Sequence, residues 1–277
     1  MANESKCPEC GGARYLVERK GEKRIARACR CNDACDSCGG SGRIHIEKDG
    51  YGFVQTCPCR AIAQRLTRFN QAGLPARCGL SFDEFLPQNS AQEEARAVAY
   101  TTAKRYRPEE PTKGFVVAGP VGTGKTHLLC ATLGYLTLEL GVSARYVEVS
   151  FLFSEIRKGF SENRSGLDAI QPLVDADVLA IDELGKGRQS PFELDTLDEL
   201  IARRYNTNRT TLFATNFGLQ PEDPRARGYH DPAAKLASNL LRDRVGERIY
   251  SRLHEMCHLL QFPQETQDFR KKDRGTR

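Results

Sequence analysis

The chain has 277 residues, 39% hydrophobic and 28% charged, with a net charge of +5. That is the composition of a globular protein of about two domains, and the mild cationic excess permits nucleic-acid binding without demanding it. The opening MANESKCPEC has no apolar h-region. The most apolar helical stretch, THLLCATLGYLTLELGV, contains His127, Gly134 and Glu139. Neither a signal peptide nor a membrane span is expected, and the protein is expected to be cytoplasmic.

The first sixty residues state one pattern twice. Cys7, Cys10, Cys29 and Cys31 recur as Cys35, Cys38, Cys57 and Cys59, each displaced by 28 residues. In a reducing compartment such spacing reads as metal ligation before disulfides. Zn²⁺ takes four thiolates tetrahedrally, and a C-x-x-C knuckle delivers two from one tight turn. Two Zn²⁺ per chain are expected. Between the knuckles, RIHIE and GFVQT alternate like strands around KDGY, and Asp49-Gly50 signals a tight hairpin; RYLVER and RIARA flank KGEK in the first copy. A hairpin returns each C-x-C to its own C-x-x-C, which favours sequential pairing. The alternative is nested: Cys29, Cys31, Cys35 and Cys38 as one site, the outer four as the other. Residues 1–68 hold thirteen Lys+Arg against eight Asp+Glu; eight thiolates on two Zn²⁺ would leave about +1. Cys78, Cys130 and Cys257 stand apart and read as small buried hydrophobes. The C-x-x-C-G-G-x-G wording of the second copy resembles the cysteine-rich region of DnaJ-type chaperones, whose partner motifs are C-x-x-C where this chain has C-x-C.

A basic helix with Arg60, Arg65 and Arg68 follows and is broken at Leu74-Pro75. A second helix is expected over residues 91–105. The organisation expected is two zinc hairpin units (1–60), a helical linker (61–110) and a nucleotide domain (111–277), with separate cores for the hairpins and the nucleotide domain.

The stretch KGFVVAGPVGTGKTHLL carries the chemistry. FVVA suits a buried parallel strand, and Gly119 to Thr126 fits G-x-x-x-x-G-K-[ST] directly before a helix. In such a loop the backbone N–H groups of Gly119, Pro120-Val121, Gly122, Thr123 and Gly124 surround phosphates, with His127 just inside the helix (Pro120 itself lacks an N–H). Lys125 reaches the β- and γ-phosphates of ATP, and Thr126 offers its hydroxyl to Mg²⁺. Downstream, DVLAIDELG ends a buried strand at Asp182, suited to Mg²⁺, and Glu183, suited to polarising the attacking water. TTLFATN ends another strand at Asn216, beside the γ-phosphate if that strand lies between the other two. Strands at 115–118, 144–149, 178–182, 211–215 and a last HLLQF alternate with helices. This predicts an α/β fold with a parallel sheet covered on both faces. Helices are expected up to about residue 254, and RKKDRGTR reads as a disordered tail.

GPVGTGKTHLL, VLAIDELG, LFATN and GERIYSRL, in this order, resemble the AAA+ ATPases of the DnaC/DnaI helicase-loader group, which includes the transposition helper IstB. The resemblance covers about residues 74–262. It implies a P-loop AAA+ domain, here preceded by a small zinc-bound β-hairpin domain, that hydrolyses ATP with Mg²⁺. It also implies a homo-oligomer on single-stranded DNA, and a replicative helicase (alternatively a transposase) as partner. Asn216 would sense the γ-phosphate, and Arg252, or else Arg248, would enter a neighbour's site. The group shows no helical lid after Phe262, so no second sensor arginine is assigned. A protein-remodelling adaptor stays the reading of another class; it needs exposed apolar residues, and the hairpins offer few (Tyr15, Leu16, Tyr51, Phe53).

Overall fold

The computed structural model describes residues 7–272 apart from 33–34, 36, 49, 162–165 and 221–238. Asp49, part of the stretch expected to be helical before residue 254, and the last five residues of the tail lie outside the described residues. Two antiparallel hairpins come first: β1 (Tyr15–Lys20) with β2 (Lys23–Ala28), and β3 (Arg43–Lys48) with β4 (Tyr51–Thr56). Gly21 and Gly50 turn them at φ of 59° and 77°, a region that glycine enters without strain.

α1 (Pro58–Ala72) starts inside the second cysteine unit, with Cys57 as its N-cap, and ends at Gly73, whose φ is 73°. α2 (Ser90–Arg105) follows, its first turn capped by the Asn89 side chain, which accepts from Gln92 N–H at 3.0 Å. The rest is a five-stranded parallel sheet in the order β6-β7-β8-β5-β9: β5 (Gly114–Ala118), β6 (Ala144–Glu148), β7 (Val178–Asp182), β8 (Thr210–Thr215) and β9 (Cys257–Gln261). Its helices are α3 (Lys125–Leu138), α4 (Val149–Ser161), α5 (Gly166–Asp175), α6 (Pro191–Asn206), α7 (Leu241–Val245), α8 (Glu247–Met256) and the short α9 (Phe269–Lys272).

The expected alternation is present, and β8 does lie between β5 and β7. The inner strands β5, β7 and β8 are buried at every position because both faces are covered, while the edge strands β6 and β9 are only partly buried. Phe115, Val117, Ala180 and Leu212 join the core under α1, α2 and α3, while Val116, Leu179, Ile181 and Phe213 join the core under α4 to α8. Beneath the second core, the buried Arg204 of α6 donates to the carbonyls of Leu173 (2.8 Å), Ala176 (2.7 Å) and Thr210 (2.6 Å), tying the end of α5 to the start of β8.

One expectation is corrected. The hairpins and the nucleotide domain do not have wholly separate cores. Ala26 of β2 belongs to the same apolar cluster as Leu66 and Phe69 of α1 and Leu129 of α3, with Tyr15 and Val17 packed against it. Asn70 of α1 brackets Ala26, accepting from its N–H at 2.7 Å and donating to its carbonyl at 3.0 Å. Arg24 N–H donates to Leu74 O (2.8 Å), and the Tyr15 hydroxyl to Glu139 on the loop after α3 (2.9 Å). The second hairpin differs, for β4 is exposed along its whole length. Among the described residues no helix is long and apolar enough to cross a membrane.

Candidate nucleotide and metal sites

The eight cysteines of the repeat converge as two sequential sets, Cys7, Cys10, Cys29, Cys31 and Cys35, Cys38, Cys57, Cys59; within each, the four sulfurs lie within 4.8 Å of one another. The nested pairing is not formed. Sγ–Sγ separations are 3.8 Å for Cys7–Cys29 and 3.6 Å for Cys10–Cys31, Cys35–Cys57 and Cys38–Cys59. A tetrahedral ion with metal–sulfur bonds of ~2.3 Å needs edges of ~3.8 Å, so the sets fit Zn²⁺. None of the eleven cysteines forms a disulfide. The knuckles also favour thiolates. Burial alone would raise the Cys38 thiol, but the Gly42 N–H at 3.2 Å and the neighbouring cysteines hold it down at about 6. Arg14 and Gly12 N–H likewise outweigh burial at Cys10 and hold it at about 7. Cys57 and Cys59 sit at a helix N-terminus, whose dipole suits negative charge, but without a metal their thiols are pushed up, Cys59 to about 12 by its hydrogen bond with Cys57 and then by burial.

The P-loop runs between β5 and α3. Gly122 and Gly124 take φ of 78° and 91°, where a side chain is strained. Thr123 donates to Pro120 O at 2.8 Å, and Gln92 of α2 donates to Thr123 O at 2.9 Å, so the loop is held from inside and from behind. Val121 is exposed at its tip. The buried Lys125 ammonium donates to the carbonyls of Gly119 (2.7 Å) and Pro120 (2.6 Å); burial lowers its pKa to about 8, against the opposing charge of Asp182.

The sheet order brings the other expected residues to the same edge. Thr126 Oγ1 donates to Asp182 Oδ2 at 2.7 Å. This pair of hard oxygens suits Mg²⁺. Glu183 follows at φ 55°, its N–H bonded to Asp182 Oδ1 at 2.8 Å, and its carboxylate pairs with Lys186. Asn216 lines the same cleft of about 910 Å³. His127 lines the cleft as well; its Nε2 donates to the Ser81 carbonyl at 2.8 Å and its ring packs edge-on against Phe85. Cys130 and Cys257 are buried as expected, whereas Cys78 borders the cleft.

The two arginines sit on α8, and both face Asp198 of α6. Arg252 is bonded to it and its side chain is 22% exposed. Arg248 reaches it only at 3.7 Å and is 81% exposed.

Several cleft residues gave no local signal in the sequence. Tyr146 of β6 donates to Asp182 Oδ2 at 2.7 Å, and Lys186 also approaches Glu148 at 3.8 Å. Phe85, Phe269 and Arg270 line the cleft too. The tail reading is corrected to that extent: Arg270 lies in α9, against the P-loop.

A strand, glycine loop and helix, with an acid at the end of the strand one place removed across β8, define a P-loop nucleoside-triphosphate domain of the AAA+ kind. The chain belongs to the family described as IstB-like ATP binding protein, whose family model matches residues 61–274. It is 31% identical over 140 residues to the replicative helicase loader DnaC of Buchnera aphidicola subsp. Acyrthosiphon pisum, covering 49% of this chain and 55% of that one. To DnaC of Escherichia coli K12 it is 27% identical over 163 residues, covering 58% and 65%. The chain thus spans between about half and two thirds of these relatives' length. Among solved structures, the DnaC helicase loader superposes with a TM-score of 0.55 at 27% identity, covering 66% of this chain and 97% of that one. DnaI gives 0.51 at 22% identity, covering 69% and 90%, a likeness of fold.

Proposed function

We propose that the protein is a Mg²⁺-dependent ATPase of the helicase-loader kind. It assembles with copies of itself on single-stranded DNA and delivers a replicative helicase gripped by its zinc units. The observation that carries this reading is the Thr126–Asp182 hydrogen bond, which ties the first turn of α3, just after the P-loop, to the end of the acidic strand β7 at one cleft. Lys125 compensates phosphate charge there, and Thr126 and Asp182 hold Mg²⁺, which neutralises charge on the phosphates. Glu183 orients the attacking water and Asn216 contacts the γ-phosphate. Release of Glu183 from Lys186 is part of reaching that geometry.

Each cysteine set holds one Zn²⁺. The first unit braces α1 and α3; the second is the gripping unit. Support for that division is the exposure of Ile46, Tyr51 (72%), Phe53 (50%) and Val54 on the second hairpin, while Tyr15 of the first is engaged by Glu139. Ile46 and Phe53 are cross-strand partners, so they present one apolar face. Arg248 is the better-placed arginine to act on a neighbour, because Arg252 is committed to Asp198.

A second reading, delivery of a transposase, is favoured by the family match itself. Co-purification with a tagged full-length chain separates the two: a hexameric helicase retained with ATP supports loading, and a transposase retained instead supports transposition. An ATPase indifferent to single-stranded DNA, with neither partner retained, would overturn both.

A further inference from the structure

After β9 the chain turns back over the phosphate loop. Thr266 is buried, and its hydroxyl accepts from Asn89 Nδ2 at 3.1 Å, the same Asn89 that caps α2. Phe269 N–H donates to Gly122 O at 3.0 Å. The Asp268 carboxylate lies so near that a Cβ on Gly122 would meet its Oδ1 at 1.7 Å. The Phe269 ring faces Phe85 with centroids 6.5 Å apart, and Phe269 and Arg270 border the same cleft as Lys125 and Thr126. Residues 263–270 therefore form a strap seated on the P-loop, fastened to α2 at one end and to Gly122 at the other.

We propose that this strap is a nucleotide-binding element acting in cis, with the Arg270 guanidinium contacting the phosphates of the bound triphosphate. The inference rests on the nucleotide reading of the cleft. A triphosphate brings about four negative charges into a cleft that already holds the carboxylates of Asp182 and Glu183, so Lys125 and one Mg²⁺ together still leave an excess of negative charge. Of the other cations lining the cleft, Lys186 is paired with Glu183 and Glu148, and Arg270, unlike Arg77, is carried on a segment hydrogen-bonded to the phosphate loop itself. Among the described residues no ion pair holds the Arg270 side chain. Its charge is already felt in the loop, for after burial and Asp182 it is the next influence on Lys125, and it lowers that pKa further. A guanidinium suits the role because its fixed fork of donors matches phosphate oxygens, and charge-assisted bonds of that kind are the strong ones. Gly122 suits this packing because its φ of 78° strains any other residue and a side chain there would push the Asp268 carboxylate aside.

The test is equilibrium binding of a fluorescent ATP analogue with Mg²⁺ to the full-length, zinc-loaded protein, comparing the parent with Arg270→Ala, Arg270→Lys and Lys125→Ala. Arg270→Ala should weaken binding about ten- to a hundredfold, the range for one lost charge-assisted hydrogen bond. Arg270→Lys should recover part of the loss. The ligand-free unfolding temperature should not move, because the Arg270 side chain is exposed. A parent that binds, a Lys125→Ala protein that does not, and an Arg270→Ala protein that binds like the parent would overturn the role of Arg270 and leave the nucleotide site intact. A parent that binds no nucleotide would overturn both.

Discussion

The Tyr146 hydroxyl and the Thr126 hydroxyl donate to the same oxygen, Asp182 Oδ2, each at 2.7 Å. Burial, and then the charge of Asp182, push the Tyr146 phenol well above its usual range, so it remains protonated and remains a donor. Tyr146 is therefore a positioning residue that fixes the carboxylate rotamer at the proposed Mg²⁺ site. Tyr146→Phe keeps the ring and removes one bond, which should weaken carboxylate placement by about 1–2 kcal/mol. The expected result is a roughly tenfold rise in the Mg²⁺ concentration needed for half-maximal ATP binding, with little change in binding of metal-free nucleotide. An unchanged Mg²⁺ requirement would remove Tyr146 from the site.

Lys125 and Glu183 should separate binding from turnover. In the proposed mechanism Lys125 supplies charge to the ground-state phosphates, so Lys125→Ala should lose nucleotide binding. Glu183 in that mechanism acts on the water, so Glu183→Gln should bind ATP yet hydrolyse it very slowly. Filter binding alongside single-turnover hydrolysis reads both. Parental turnover by Glu183→Gln would hand the water to Glu148, whose carboxyl is raised by burial and then by the nearby Glu183.

The two cysteine sets should not be equivalent. Elemental analysis of protein purified under reducing conditions should give two Zn²⁺ per chain. Cys10→Ser should release one ion and lower the unfolding temperature of the nucleotide domain, because Ala26, Tyr15 and Val17 pack into the core shared with α1 and α3. Cys38→Ser should release one ion and leave that transition nearly in place, because β4 contributes no buried residue. Equal thermal effects would contradict the shared core of the first unit.

Arg204 makes a stability prediction independent of nucleotide. Its guanidinium is buried and spends its donors on backbone carbonyls from two elements. Arg204→Met leaves those carbonyls without donors, at about 1–3 kcal/mol for each buried acceptor left unpaired. Thermal unfolding should show a large loss, and Arg204→Lys should rescue little, since one ammonium cannot span all the acceptors.

What was legible in the sequence follows physical lines. The parallel sheet was readable because buried strands are continuous apolar runs, and the P-loop because its glycines, lysine and threonine must be contiguous. The sequential cysteine sets followed from hairpins that return the chain to its start. Tyr146, Lys186 and Arg270 were not readable. Tyr146 reaches Asp182 only because β6 and β7 pair in the register Glu148↔Asp182, a fact about the sheet and not about ARYVE. Arg270 sits in a stretch whose charge reads as a solvated tail, and what holds it is Thr266 on Asn89 and Phe269 on Gly122, contacts that span more than a hundred residues of chain. The docking of the first hairpin was hidden for the same reason: β2 offers α1 only one small buried residue, Ala26.

Hydrolysis should depend on an arginine from a neighbouring copy, and the exposures of the two candidates decide which variant to build. An arginine acting in trans stabilises charge on the transferring phosphoryl group, worth ~10³–10⁵ in rate in related chemistry. Arg252 is 22% exposed and bonded to Asp198, so Arg252→Ala should mainly cost stability by freeing that carboxylate. Arg248, at 81% exposure, should be the residue whose loss abolishes hydrolysis while ATP binding and the unfolding temperature stay near the parent's. Mixing then gives the decisive measurement. Arg248→Ala and Lys125→Ala are each inactive alone, but a mixed oligomer contains interfaces that join an intact P-loop to an intact Arg248. ATPase activity on single-stranded DNA should partly return on mixing and fall again as either variant is taken to large excess. Full activity of Arg248→Ala by itself, or recovery only when Arg252→Ala replaces it in the mixture, would move the role away from Arg248.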